Sequence, residues 1–223
     1  MPVNRERATA IMSEHRLDAI VTMTPENMTY LTDFPLLHGC LSETRVYVIF
    51  PADPNQEPAI VIPKLSVDLL TSSPCQIEDI WLWGNVFLFE AEGWMPQTQE
   101  ERRLKAALSQ RPFNQMDQDA LLACLKDRGL DRARIGFDDK ALPSPQVFER
   151  FKALVPKAEV VPAYTILRQI RMVKIAEEIR RMRVAAAANE AGAKAVFAAA
   201  KIGMREEELA GAKEAGLTTV VLD

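Results

Sequence analysis

Histidine and cysteine are scarce in this chain of 223 residues. It holds two histidines, His15 and His38, and three cysteines, Cys40, Cys75 and Cys124. His38 lies in the segment "DFPLLHGCLSETR", with Tyr30, Asp33 and Arg45 close by. Tyr30, His38 and Arg45 are the polar groups that this stretch offers for a site. The same residues also read as a solvated loop with ordinary capping contacts. His15 shares a helical face with Ala8, Ile11 and Met12, a position for a half-buried core or interface residue. The cysteines form no CxxC pair, so neither a zinc site nor a redox motif is indicated. No Ser-His-Asp or Cys-His pattern is present, and with 9 glycines there is no glycine-rich phosphate loop.

The elements that must position these groups alternate. "RERATAIMSEHRLDAIVTM" reads as an amphipathic helix feeding a buried strand. "TPEN" marks a helix start, with Thr24 as N-cap and Pro25 at the first helical position. "TRVYVIF" and "PAIVIP" flank the turn-forming "PADPNQEP" and predict a strand pair. "IEDIWLWG" is a further strand; with "NVFLFEAEGW" it carries the three tryptophans, Trp81, Trp83 and Trp94, as sheet covering or as an interface or pocket wall. A helix begins near Gln99. Another, "DQDALLACLKDRGL", has Asp117 as its expected N-cap and Gly129 as its stop. "RIGFD" predicts a short strand, "SPQVFERFKALVP" a helix capped by Ser144, and "AEVVPA" a last strand. Strands alternating with helices imply a layered α/β domain with a mixed sheet.

After Pro162 the character changes. "AYTILRQIRMVK" reads as a connector, Ile175 to Ala200 as one long helix, "REEELAGAKEAG" as a second helix, and "LTTVVLD" as a β-type ending. Two helices and a strand cannot bury their faces alone.

The composition excludes several classes. It is 48% hydrophobic and 26% charged, with a net charge of −4, unlike a dedicated nucleic-acid binder. The basic run "LRQIRMVKIAEEIRRMR" is basic only locally, because Glu177 and Glu178 lie within it. No signal peptide and no membrane span is read. An odd number of widely spaced cysteines fits reduced thiols in a cytoplasm.

Three stretches together carry a resemblance. "LDAIVTMTPENMTYLTDF", "RIGFDD" and "LRQIRMVKIAEEIRRMRVAAAANEAG" occur in the order seen in the creatinase/prolidase/Xaa-Pro aminopeptidase family, the pita-bread metallohydrolases. The first resembles that family's opening Thr-Pro-x-Asn-x-x-Tyr-Leu-Thr turn, the second a strand midway through its N-terminal domain. The third resembles its junction with the catalytic domain. The resemblance implies a creatinase N-terminal-like domain with a mixed, ribonuclease-H-like sheet over 1–163. A linker at 164–174 and the incomplete start of a pita-bread domain at 175–223 would follow.

It further implies that the N-terminal part is non-catalytic, forms dimers or other homo-oligomers, and lends residues to a substrate rim, for which Tyr30, His38 and Arg45 are the substrate-binding candidates. Full-length members use two divalent metal ions held by two Asp, one His and two Glu, and act on peptides or small molecules. Beyond Asp139 this sequence has one aspartate, Asp223, and no histidine. The expectation is therefore no metal ligands, no catalytic residues and no cofactor within this chain, a cytoplasmic setting, and neither nucleic acid nor membrane as partner. Two other readings stay open: a free-standing module that pairs with full-length relatives, and an unrelated site around His38.

Overall fold

The computed structural model describes residues 3–35, 45–86, 93, 95–138 and 146–221. It divides into two units, Met1–Val173 and Lys174–Asp223.

The first unit begins with α1 (Arg5–Glu14), whose Ala8, Ile11 and Met12 are buried at helical spacing. Asn4 caps it by accepting the Arg7 N–H at 3.1 Å. The helix ends in a reverse turn that places Arg16 at φ 54°, a left-handed position that glycine would occupy without strain. His15 is exposed at this end rather than on the buried face: the helix stops at Glu14, one residue before the periodicity would have turned the imidazole inward.

Strand β1 (Ala19–Thr22) follows, then α2 (Pro25–Thr32), β2 (Tyr47–Pro51) and β3 (Ala59–Pro63). A 3-10 turn (Lys64–Ser66) leads into α3 (Val67–Thr71) and β4 (Asp79–Trp83). Next come α4 (Gln99–Ser109), α5 (Asp117–Asp127) and β5 (Arg134–Phe137). The unit closes with α6 (Gln146–Leu154), β6 (Glu159–Pro162) and α7 (Tyr164–Met172). Among the described residues the strands form one six-stranded sheet in the order β4-β3-β2-β1-β5-β6. β2 runs antiparallel to both neighbours, whereas β1–β5, β5–β6 and β3–β4 are parallel pairs.

Alternation along the strands divides the core in two. Ile20, Val48, Phe50, Ile60 and Ile62 face one side with α1, α2, α3 and α7. Val21, Tyr47, Ile49, Val61, Trp81 and Phe137 face the other with α5 and α6. Trp83 packs on the same side as Trp81, as the period-two pattern requires; Trp94 lies outside the described residues. Each fully buried Ile or Phe here contributes roughly 1.5–3 kcal/mol of transfer free energy. Gly136 lets the helical layer close on β5, because a Cβ there would sit 3.0 Å from both Ala163 Cβ and Leu17 Cδ1.

Residues 164–172, expected as a connector, form α7. Its Ile166, Leu167 and Ile170 are buried in the first core, and the Arg7 guanidinium donates to the Gln169 carbonyl at 2.9 and 3.0 Å. The apolar i, i+1, i+4 pattern outweighed the polar residues between.

The sheet edges are blunted. The Gln110 side chain imitates a strand against β4, accepting the Ile80 N–H at 3.2 Å and donating to the Glu78 carbonyl at 3.1 Å. Asn114 does the same with its backbone toward Leu82 and Gly84. On β6, the Glu159 and Ala163 N–H groups bond inward to β5, so alternation turns Val160 and Pro162 outward. Pro162 has no N–H to offer a further strand.

In the second unit, α8 (Ala176–Ala199) packs on α9 (Glu206–Val221). Glu178 accepts the Ile175 N–H at 3.0 Å, replacing the missing Ser or Thr cap, and Glu177 pairs with Arg180 and Arg181. Residues 217–221, expected to be β-type, continue α9. A strand needs a neighbour to satisfy its backbone, and the described part of this unit offers only helices.

Candidate functional site

In an open α/β sheet, ligands bind outside the carboxyl ends of the strands, where adjacent strands lead to helices on opposite faces. Here that place is between β1 and β5. The chain leaves β1 into α2 on one face and leaves β5 into α6 on the other. Two features occupy the crevice, one on each side.

On the α2 side is a carboxylate. Asp138, the residue after β5, is 0% exposed. Its Oδ2 accepts from Thr22 Oγ1 at 2.7 Å, Thr24 Oγ1 at 2.6 Å and Asn27 Nδ2 at 2.8 Å. Thr24 and Asn27 are the N-cap and N3 positions of α2, so the negative charge lies at the positive end of the helix dipole. Thr24 thus makes no capping bond to its own helix; its hydroxyl goes to Asp138 instead. Arg171 of α7 donates to Asn27 Oδ1 at 2.8 Å, and its guanidinium lies 5.7 Å from the Tyr30 ring centroid. A cation and an anion are thereby joined through one neutral amide, which polarises both bonds. The chain's own carboxylate fills the position that a bound anion would take in such a fold.

On the α6 side is a cavity of about 40 Å³. Its apolar wall includes Met23, Leu121, Phe137 and Phe151, the last two stacked at 4.3 Å between centroids. Its polar lining is Arg45, Tyr47, Gln118 and Arg150. Asp117 does not cap α5, of which it is the first residue. Its buried side chain accepts from the Tyr47 hydroxyl at 2.8 Å and from Arg45 at 3.3 Å. Burial and the neighbouring Asp117 push the Tyr47 phenol well above its ordinary value, and Asp117 also raises Arg45. Both groups hold their protons at any physiological pH.

The structure places Tyr30 and Arg45 on opposite sides of the sheet. Tyr30 is buried in the α2-side core, its hydroxyl accepting the Asn4 N–H at 3.2 Å. Arg45 belongs to the α6 side, and His38 lies outside the described residues. Sequence reasoning did not single out Thr22, Asn27, Asp138, Tyr47 or Asp117 as a cluster. The signal was available in part, since Thr22 and Asp138 are polar residues at the carboxyl ends of the apolar runs 19–21 and 135–137. Among the described residues no three His, Cys, Asp or Glu side chains come together to hold a metal ion.

A three-layer α/β sheet whose crevice is closed on one side by an internal carboxylate defines a class of domain. The model of the creatinase/prolidase N-terminal domain matches residues 4–173, and the chain belongs to that family. No curated protein matches the sequence. Among solved structures, the X-Pro aminopeptidase from Thermotoga maritima is similar with a TM-score of 0.63 at 15% identity, over 97% of this chain and 49% of that one. The prolidase from Thermococcus sibiricus gives 0.60 at 18%, over 98% and 50%. The dipeptidase from Pyrococcus horikoshii gives 0.59 at 17%, over 97% and 49%. At these identities the likeness shows the fold. The chain spans about half the length of these structures.

The family's enzymes use two metals. The residues of this sequence that follow the junction do not fit such a centre, having no histidine and one aspartate.

Proposed function

We propose that this chain acts as the N-terminal, non-catalytic part of an Xaa-Pro peptidase- or creatinase-like metallohydrolase. Its tasks are self-association and a contribution to the substrate rim. One observation carries the reading: solved dipeptidases and prolidases align with nearly all of this chain using about half of theirs. The donor inventory after the junction agrees, and so does α8, which leaves Met182, Val184 and Phe197 exposed as a surface suited to further structure. His38 and Arg45 are the rim candidates. Tyr30, 5.7 Å from the Arg171 guanidinium at its ring centroid, is the third. The reading places the chain in the cytoplasm. Self-association uses a face of the domain, because both sheet edges resist strand addition.

Two measurements test this. The purified chain, supplied with manganese or cobalt, should leave an Xaa-Pro dipeptide intact, and light scattering should give twice the chain mass. Turnover by this polypeptide alone, or a strict monomer at high concentration, would overturn the corresponding half of the proposal. A second reading, a free-standing module that pairs with a longer relative, is favoured by the same exposed α8 face. Co-purification with such a chain would select it.

A further inference from the structure

We infer that the cavity on the α6 side of the β1/β5 crevice is a binding site for a small carboxylate. The inference stands independently of the function proposed above, since it needs neither metals nor a second subunit. Its position is the first argument. The cavity opens at the carboxyl ends of two parallel strands that lead to opposite faces, the place where this architecture takes ligands. The α2 side is filled by Asp138, which leaves the α6 side as the open half.

Charge is the second argument. Arg45 and Arg150 both line the cavity, and the first turns of α5 and α6 border it at Gln118 and Val147. Helix N-termini add partial positive charge to the two guanidinium groups. Among the described residues, the acid bonded to this lining is Asp117, which is buried at 3% exposure and already accepts from Tyr47 and Arg45. It fixes Arg45 in place without filling the cavity, and Arg150 stands exposed beside it. A guanidinium held by one carboxylate can still present its other N–H groups to a second.

Size and polarity are the third. A cavity of about 40 Å³ holds about three water-sized atoms, room for a short aliphatic tail whose carboxylate sits at the rim beside Arg45 and Arg150. Met23, Phe137 and Phe151 offer a short aliphatic tail an apolar surface. The ligand class is therefore a monocarboxylate with a short apolar body, either a free acid or the C-terminal end of a peptide.

The test is a two-dimensional NMR titration of the intact chain with propionate, with propionamide as the uncharged control at equal ionic strength. Propionate should shift the resonances of Met23, Phe137 and Phe151, and propionamide should not. Arg150→Gln, a change at an exposed position that leaves the fold intact, should weaken propionate about tenfold, the loss expected for one charge-assisted contact. A blocked dipeptide with a free C-terminus that binds at the same resonances would make the peptide end the source; its failure beside propionate would make it the free acid. Equal binding of propionamide, unchanged affinity in Arg150→Gln, or no shift at these residues would each overturn the proposal.

Discussion

Replacing Asp138 by alanine removes the acceptor on which Thr22, Thr24 and Asn27 converge. Hydrogen bonds to a charged group contribute about 1.5–3 kcal/mol each. Complete loss of three would exceed what is expected, because Thr22 Oγ1 and Thr24 Oγ1 lie 3.4 Å apart and can pair with each other. Asn27 would keep its bond from Arg171. The net cost should be about 4–5 kcal/mol, in the range measured when one partner leaves a buried polar network. Against a total stability of about 5–15 kcal/mol, that change alone can unfold the domain. Asp138→Asn is the control. If its amide oxygen takes the place of Oδ2, all three bonds survive as neutral ones at roughly half strength, for a cost of about 2 kcal/mol. Urea unfolding followed by far-UV circular dichroism would measure both, with an unchanged m-value showing that compactness is preserved. An alanine variant within about 1 kcal/mol of the wild type would refute the reasoning. So would an asparagine variant as damaged as the alanine one, since that would place the effect in the charge and not in the acceptor geometry.

Four further outcomes follow from other parts of the structure. Gly136→Ala should destabilise by about 1–3 kcal/mol, because its methyl would press on Ala163 and Leu17 at 3.0 Å; an unchanged melting temperature would contradict the close approach. Arg16→Gly should stabilise by about 0.5–1 kcal/mol by relieving a left-handed backbone at φ 54°, readable in the same urea titration. Burial pushes the Cys124 thiol up to about 12 from its usual 9.0. The unfolded chain ionises first, so its contribution to stability is complete below pH 9.0 and is lost as pH climbs toward 12. Native protein at pH 8 should accordingly resist alkylation at Cys124, and rapid labelling without unfolding would count against its burial. Finally, hydrogen bonds from Arg180 and Arg181 lower the Glu177 carboxyl to about 2. Its support for the start of α8 should be intact above the ordinary carboxylate range and fade only as pH falls toward 2, which a circular-dichroism titration compared with Glu177→Gln would show.

The sequence by itself determined the order of the elements and the family. The short continuous apolar runs in "TRVYVIF" and "PAIVIP", rich in β-branched residues and separated by turn formers, read as a strand pair, and they form β2 and β3. Gly129, at φ 67°, ends α5 because a turn of that hand suits glycine. Where the sequence misled, a competing contact was the cause. Asp117 was expected to cap a helix but accepts from Tyr47, 70 residues away. The segment 164–172 looked polar enough for a connector, yet it became a helix when a core was there to receive Ile166, Leu167 and Ile170.

The crevice was legible only in pieces. Thr24 and Asn27, Asp138, and Arg171 each fall within one of the three stretches that carried the family resemblance. Nothing local to any one of them foretells that they meet, since Asn27 lies 111 residues from Asp138 and 144 from Arg171. Parallel pairing of β1 with β5 brings the first two together, and packing of α7 against α1 delivers the third. Local propensity acts over a few residues and is written in the chain. The choice of which strand lies beside which is made by burying both faces of one sheet at once, and that choice exists only in the folded molecule.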